Sequence, residues 1–327
     1  MVRFVHIFSI HIIAGLLFLT PSVAAQNDVS GQIKWAGKAP HLVVVDQNTA
    51  YADQLRKYLE AIELPTGFKV SLFAIAPGAR QMAVSPQGIA VFVGTRTSDV
   101  WVVTDRDKDR VADEVTSFAP AAGFKAPTGV CFSRNGFLYV VEHNRVRAFP
   151  AAEYSYESAG GPMVEIVPWG NLKPDEDFAN TLWACEVGAD NKLYVFSGEA
   201  LNESFDVDNV IRMKPDGTNR EVLSDKIRGS ASQGTNSKHA PQATKLGMLY
   251  TGTMFPEQYR GIFWPRPTGV MFTPDKGSDA EIEPFAEGWS LPPGKTNRLA
   301  DLAQLHDGSI LVSDEQAGAI YRIYYGQ

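Results

Sequence analysis

One short pattern recurs along this chain, and a unit too small to bury itself must stack against its own copies. The pattern is a small or apolar pair, a turn with Gly, Asn or Asp, and then an alternating strand. It occurs as Met82-Ala-Val-Ser-Pro-Gln-Gly-Ile-Ala-Val-Phe-Val93 and as Gly129-Val-Cys-Phe-Ser-Arg-Asn-Gly-Phe-Leu-Tyr-Val140. It returns as Ala184-Cys-Glu-Val-Gly-Ala-Asp-Asn-Lys-Leu-Tyr-Val195 and Leu302-Ala-Gln-Leu-His-Asp-Gly-Ser-Ile-Leu-Val312, with a weaker copy at Gln258-Tyr-Arg-Gly-Ile-Phe263. Each full copy reads as a hairpin of period-two strands. The copies lie roughly 50–70 residues apart, near the length of one four-stranded propeller blade. Further strands follow at residues 99–104, 210–213 and 319–323. The pattern predicts an all-β chain, a β-propeller of five or six four-stranded blades. Five units can be counted. A sixth would be completed by the N-terminal arm, since propellers close by mixing strands from both chain ends. A β-sandwich would not repeat so regularly.

The N-terminus has a different character. Arg3 precedes an apolar run at residues 7–19, and Pro21 leads into Val23-Ala24-Ala25. This reads as a signal peptide, residues 1–25, cleaved after Ala25. The run is short for a bilayer span, so the expected mature protein is periplasmic or secreted, with no stable membrane span. Residues 26–63 read as a lead-in arm: a short strand at Gln32-Ile33-Lys34-Trp35, then one helix with Leu55, Tyr58, Leu59 and Ile62 at helical spacing, stopped by Pro65 and Gly67. The propeller domain is residues 64–327. The 30 Lys and Arg against 37 Asp and Glu leave a charge of −7 without a basic tract, which excludes nucleic acid as a partner.

The two cysteines, Cys131 and Cys185, lack any zinc or haem spacing. The repeat aligns Cys185 with Val130, which sets the sulfurs on opposite strand faces and predicts two buried free thiols. Glu142 and His143 read as a surface hydrogen-bonding pair, and His306-Asp307 as an ordinary hairpin turn.

The sharpest local signal is Asp105-Arg-Asp107-Lys-Asp109-Arg-Val-Ala-Asp113-Glu114. Oxygen ligands at alternate positions let a tight loop wrap one hard cation, so Asp105, Asp107, Asp109 and Asp113 are the expected calcium ligands, with a carbonyl from Val111. Arg110 stands where an EF-hand has Gly, and Thr116 where it has Glu. A shorter loop at a blade edge, bracing a hairpin, fits better.

Several segments resemble the soluble PQQ-dependent (pyrroloquinoline quinone) sugar and sorbosone dehydrogenases. Leu64-Pro-Thr-Gly-Phe-Lys-Val-Ser-Leu-Phe-Ala74 resembles the family's "LPPGF" opening, and the acidic loop is similar to one found there. Val210-Ile-Arg-Met-Lys-Pro-Asp-Gly-Thr-Asn-Arg-Glu-Val222 is similar to its "ILRMNPDGT" strand and turn. Leu246-Gly-Met-Leu-Tyr-Thr-Gly-Thr-Met-Phe-Pro-Glu-Gln-Tyr-Arg-Gly261 resembles "LGM-YTGSMFP-EYRG", and Ile310-Leu-Val-Ser-Asp-Glu-Gln-Ala-Gly-Ala-Ile-Tyr-Arg-Ile323 the closing strands. Together they span nearly all of residues 64–324, in the family's order.

The resemblance implies a propeller holding PQQ over its central channel, with a sugar or aldehyde as substrate and an electron-acceptor protein as a further partner. In the family a histidine takes the hydroxyl proton and arginines hold the cofactor. Here the histidine's position, eight residues before Gly188, is Asn180, which cannot accept that proton. Arg228 matches the arginine of the family's "RN" pair, with Gly229 replacing the asparagine. Arg298 and Asp301 match its "R-x-R-D" or "GRPVD" motif, with Ala300 at the second arginine. The blade after "RN" is missing, residues 230–238 forming a short polar bridge, and the "HGSWNR" turn is reduced to Phe263-Trp-Pro-Arg266. His239, in His239-Ala-Pro241, resembles an "H-x-AP" segment and is a candidate replacement base. The implied function is an exported PQQ-dependent oxidoreductase of reduced activity. The alternative is a non-catalytic propeller binding a carbohydrate or a protein. A lactonase-like propeller needs a ring of carboxylate and Asn ligands that the sequence does not assemble, and neither a P-loop nor a Gly-x-Ser-x-Gly elbow is present.

Overall fold

The computed structural model describes residues 34–35, 41–172, 181–201, 204–223, 247–275, 281–289 and 299–326. The arm supplies β1 (Lys34–Trp35) and helix α1 (Ala50–Leu59), and β2 (Phe68–Ile75) follows. From the centre outward, blade 1 is β3 (Met82–Val84), β4 (Val91–Val93), β5 (Trp101–Thr104) and β6 (Glu114–Ser117). Blade 2 is β7 (Gly129–Phe132), β8 (Leu138–Glu142), β9 (Arg145–Phe149) and β10 (Pro162–Val167). Blade 3 is β11 (Thr181–Val187), β12 (Leu193–Leu201), β13 (Ser204–Met213) and β14 (Glu221–Val222). Blade 4 is β15 (Met248–Leu249), β16 (Gly261–Arg266), β17 (Gly269–Pro274) and β18 (Glu283–Glu287). Blade 5 is β19 (Leu299–Gln304), β20 (Ile310–Asp314) and β21 (Ala319–Tyr325), completed on the outside by β2. The described residues thus form a five-bladed propeller. Both chain ends do share a blade, with β2 and β21 antiparallel from Phe68↔Tyr325 to Ile75↔Ala319. They close the fifth blade rather than build a sixth.

The repeat in the sequence is a repeated turn. In four copies the fourth residue of the turn is left-handed: Gly88 (φ 68°), Gly136 (φ 82°), Asn191 (φ 57°) and Gly308 (φ 88°). Each donates its N–H to the carbonyl three residues back, Ser85, Ser133, Gly188 or Leu305, at 2.8–3.0 Å. Left-handed backbone suits Gly and, after it, Asn, so the third copy keeps the turn with Asn. The flanking strands then alternate sides and bury residues against the blades on either hand. Phe92, Phe118, Val130 and Phe149 fill the junction of blades 1 and 2. Phe73, Met82, Leu311 and Ile320 fill that of blades 5 and 1, and Phe255, Phe263, Phe285 and Leu302 that of blades 4 and 5. Blades 3 and 4 are linked through residues 224–246, outside the described residues.

Cys131 and Cys185 form a disulfide, with Cα atoms 5.7 Å apart. This overturns the expected free thiols, although the alignment behind that expectation holds. Val130 faces blade 1 and Cys131 faces blade 3, while Cys185, at the Val130 position of its own blade, faces blade 2. Opposite faces of successive blades are the faces that meet. The staple joins innermost strands β7 and β11.

The arm runs around the outside of the ring, against chain order. β1 pairs with β10 of blade 2. Residues 43–45 pair with β6 of blade 1, through Val45 N–H to Val115 O and Ser117 N–H to Val43 O, both 2.9 Å. Helix α1, capped by Thr49, whose side chain accepts from Ala52 N–H at 3.1 Å, buries Ala52, Leu55 and Leu59 in the core shared by blades 4 and 5. Glu63 then exchanges two backbone hydrogen bonds with Glu287 at the edge of blade 4. The belt covers outer edges that would otherwise be open to pairing with other chains. Among the described residues no helix is long and apolar enough to cross a membrane.

Candidate functional site

Two clusters of polar side chains stand at opposite ends of the ring. At the first, the chain enters the innermost strands. Gln81, just before β3, reaches across the centre: its Oε1 accepts from the N–H groups of Val130 and Cys185, both at 3.0 Å, and its Nε2 donates to Cys185 O at 2.9 Å. Thr128 Oγ1 donates to Trp183 O and accepts from Trp183 N–H, both 2.9 Å. Asp301 on β19 accepts from Met82 N–H at 2.8 Å through Oδ2. An innermost strand has one unpaired backbone edge, and side chains from other blades satisfy these groups on it.

Above them two arginines and a glutamate meet. Arg80 Nη1 and Arg96 Nε share the single carboxylate of Glu315, each at 2.5 Å, and Arg80 is only 8% exposed. Burial raises the Asp301 carboxyl to about 7, against lesser lowering by the Met82 and Leu302 backbone and by Arg80. Burial also raises Glu186 on β11. Burial thus pushes both acids toward neutrality. On blade 2, Glu142 is fully buried rather than on the surface. Its oxygens take Lys125 N–H at 2.7 Å, Arg145 Nη2 at 2.8 Å and Arg147 Nε at 2.5 Å, and both its neighbours at positions 143 and 144 lie in the β8–β9 turn.

Asp301 is the one residue of the inferred cofactor set within the described structure. Asn180, Arg228, His239 and Arg298 lie outside the described residues. The segments that contain them, 173–180, 224–246 and 290–298, each connect an outermost strand to the innermost strand of the next blade, as does the segment holding Arg80 and Gln81.

At the other end, the loop between β5 and β6 holds the acidic residues. Ligand oxygens of Asp105, Asp107 and Asp109 lie within 4.8 Å of one another. The loop is shaped by its own carboxylates: Asp107 Oδ1 accepts from Asp109 N–H at 3.1 Å and Asp109 Oδ1 from Val111 N–H at 2.8 Å. Lys108 and Arg110 take left-handed backbone (φ 60° and 80°). Asp113 lies outside this group of three, its Oδ2 accepting from Arg106 N–H of the same loop at 2.5 Å. Asp105 Oδ1 is enclosed and makes no well-formed hydrogen bond, although the backbone N–H groups of Arg110 and Lys108 lie close enough to the carboxyl to favour its charge. Burial raises the Asp105 carboxyl, opposed by Arg322.

Arg322, which the sequence reading passed over, joins this loop to the closing blade. It is 4% exposed. Its Nη1 lies 3.5 Å from Asp105 Oδ2, its Nε donates to Ser309 Oγ at 2.7 Å, and its Nη2 pairs with Asp307. Burial would raise Asp307, but hydrogen bonds from Ser309 and the charge of Arg322 outweigh it and hold the carboxyl low. The signal was a charge in the core-facing register of Ala319-Ile-Tyr-Arg-Ile323, beside Ile320.

No protein-family model and no curated protein matches the sequence. Solved structures do resemble it in fold. A calcium structure of a Trichoderma reesei carbohydrate-active enzyme of family AA12 is 11% identical, with a TM-score of 0.49 over 81% of this chain and 97% of that one. The holo PQQ domain of a Coprinopsis cinerea pyranose dehydrogenase is 8% identical, with a TM-score of 0.48 over 80% and 97%. A Xanthomonas campestris gluconolactonase is 10% identical, with a TM-score of 0.45 over 89% and 100%. At such identities the likeness is one of architecture alone.

Proposed function

We propose that this protein is an exported, PQQ-dependent dehydrogenase-like propeller acting on a sugar or an aldehyde and passing electrons to an acceptor protein. The observation that carries the reading is the ordered run of family-like segments over residues 64–324. Two guanidinium groups, those of Arg80 and Arg96, stand at this end of the ring beside Asp301, whose charge burial disfavours, and such a setting suits an anionic cofactor. In this reading Arg228 and Arg298 hold carboxylates of PQQ, since guanidinium forks pair with planar carboxylates through two parallel bonds. Bound PQQ would supply a two-electron acceptor for hydride from the substrate carbon. Asn180 orients the substrate hydroxyl without taking its proton, and His239 is the candidate base. Loss of a positioned base at residue 180 costs about 10²–10⁴-fold in rate, so turnover is slow to the extent that His239 does not replace it. Dye reduction on a panel of sugars and aldehydes tests this. Asn180→His should raise the rate at least about tenfold. Saturable sugar binding without any dye reduction, in both proteins, would favour the non-catalytic alternative, which the replacement of the base by Asn180 supports.

We also propose that the acidic loop holds calcium. Three carboxylates offer oxygens within 4.8 Å of one another, and the enclosed Asp105 Oδ1, which makes no well-formed hydrogen bond, fits a ligand atom for a cation. At calcium 100-fold above its Kd, mass action adds about 2.7 kcal/mol of stability. The melting temperature of the metal-loaded protein should therefore fall with chelator; an unchanged curve removes the site.

The disulfide suits an oxidising compartment and so supports export. Intact-mass analysis of the exported protein is expected to begin at Gln26, and retention of Met1 would contradict cleavage.

A further inference from the structure

The acidic loop touches blade 5 at three points. Ala112 N–H donates to Phe73 O of β2 at 2.8 Å. The Arg110 guanidinium lies over the Tyr324 ring, 4.7 Å from its centre. Arg322 of β21 reaches Asp105. Blade 5 is the one blade built from both ends of the propeller domain, and its β2–β21 pairing is what closes the ring. The two oxygens of Asp105 face different demands. Oδ2 lies 3.5 Å from Arg322 Nη1, whereas Oδ1 is enclosed, makes no well-formed hydrogen bond and has only the loop N–H groups of Lys108 and Arg110 near its carboxyl. Arg322 Nη1 likewise has no hydrogen bond, although the residue is 4% exposed and its other nitrogens are held by Ser309 and Asp307.

We infer that Arg322 is a positioning residue that links cation binding in the acidic loop to closure of the propeller ring. The inference rests on the calcium reading above and changes its role: the ion braces the joint between blade 1 and the closing blade, not merely the β5–β6 hairpin. Arg322 holds Asp105 Oδ2 by charge alone, at 3.5 Å, which leaves Oδ1 for the ion. Outer partners of this kind set both the orientation of a ligand and the cost of moving it. Because one carboxylate is shared, opening the β2–β21 seam with the ion bound must also disturb an ion ligand. Arg is suited to this place because its planar fork serves Asp105, Asp307 and Ser309 together, which a lysine ammonium on a single stem does not.

The test is hydrogen exchange of the full-length protein with and without calcium, alongside calorimetric titration with calcium alone. In the unaltered protein calcium should slow exchange at least tenfold in β2 and β21 as well as in β5 and β6. In Arg322→Lys, which retains a buried cation, calcium should still protect β5 and β6 but lose most of its effect on β2 and β21. In Asp107→Asn, which leaves Arg322 intact, both effects should weaken together. Calcium binding that protects the hairpin alone, or equal protection of β2 and β21 in Arg322→Lys, would overturn the coupling and leave the calcium site standing. Absence of any calcium binding would overturn both.

Discussion

Removing the disulfide with Cys131→Ala and Cys185→Ala is expected to cost about 4 kcal/mol of stability. The bond closes a sequence separation of 54 residues, and restoring that freedom to the unfolded chain gives this magnitude in the chain-entropy account. The loss is a large share of a typical folding stability of about 5–15 kcal/mol. Its location adds to its weight. Cys131 and Cys185 join innermost strands, and the buried core around them includes Tyr139, Trp183 and Ile211 of the same junction. Alanine avoids placing a hydroxyl in that core. Urea unfolding of the oxidised protein and the double variant reads the difference directly. A midpoint shift worth less than about 1 kcal/mol would show that packing alone holds blades 2 and 3 together.

Asp301→Asn is expected to remove a dependence of stability on pH of about 4 kcal/mol. The folded carboxyl titrates at about 7, against 3.8 for the ordinary group, because burial disfavours its charge. Between these values the folded protein keeps a proton that the unfolded chain has released. Stability from this group is therefore fully present below about pH 4, declines by about 1.4 kcal/mol per pH unit, and is lost above about pH 7. Asparagine keeps an oxygen for the Met82 N–H and cannot ionise. Unfolding free energies measured from pH 4 to pH 8 should fall more steeply for the unaltered protein than for Asp301→Asn. Parallel curves would mean that the carboxylate is stabilised where it stands, by Arg80 or by solvent.

The blades were legible because their turn is encoded four times. Gly88, Gly136, Asn191 and Gly308 each mark a left-handed position, and the strands beside them alternate. The disulfide was not legible from the same alignment, because a repeat compares positions within blades whereas Cys131 and Cys185 touch between them. The belt was half legible. The helix around Leu55 and Leu59 has a clear period, but residues 43–45 form too short an edge pairing to show one. At the channel, Arg80 and Gln81 stand just outside the repeated unit, so nothing in the pattern marked them. The acidic loop was legible from its spacing, yet the spacing could not tell that Asp113 turns to the Arg106 N–H while Arg322, remote in sequence, reaches Asp105.

The proposed function depends on one interaction before any chemistry, the seating of an acidic quinone at the end of the channel that holds Arg80 and Arg96. Equilibrium titration of the calcium-loaded protein with PQQ, followed by calorimetry, measures it most directly. The expected result is saturable binding at one site per chain, weakened at least about tenfold in Arg228→Ala/Arg298→Ala through loss of two charge-assisted contacts. Saturable binding unchanged in that double variant would contradict the roles of the two arginines, and heat that never saturates would contradict a PQQ site in this propeller altogether.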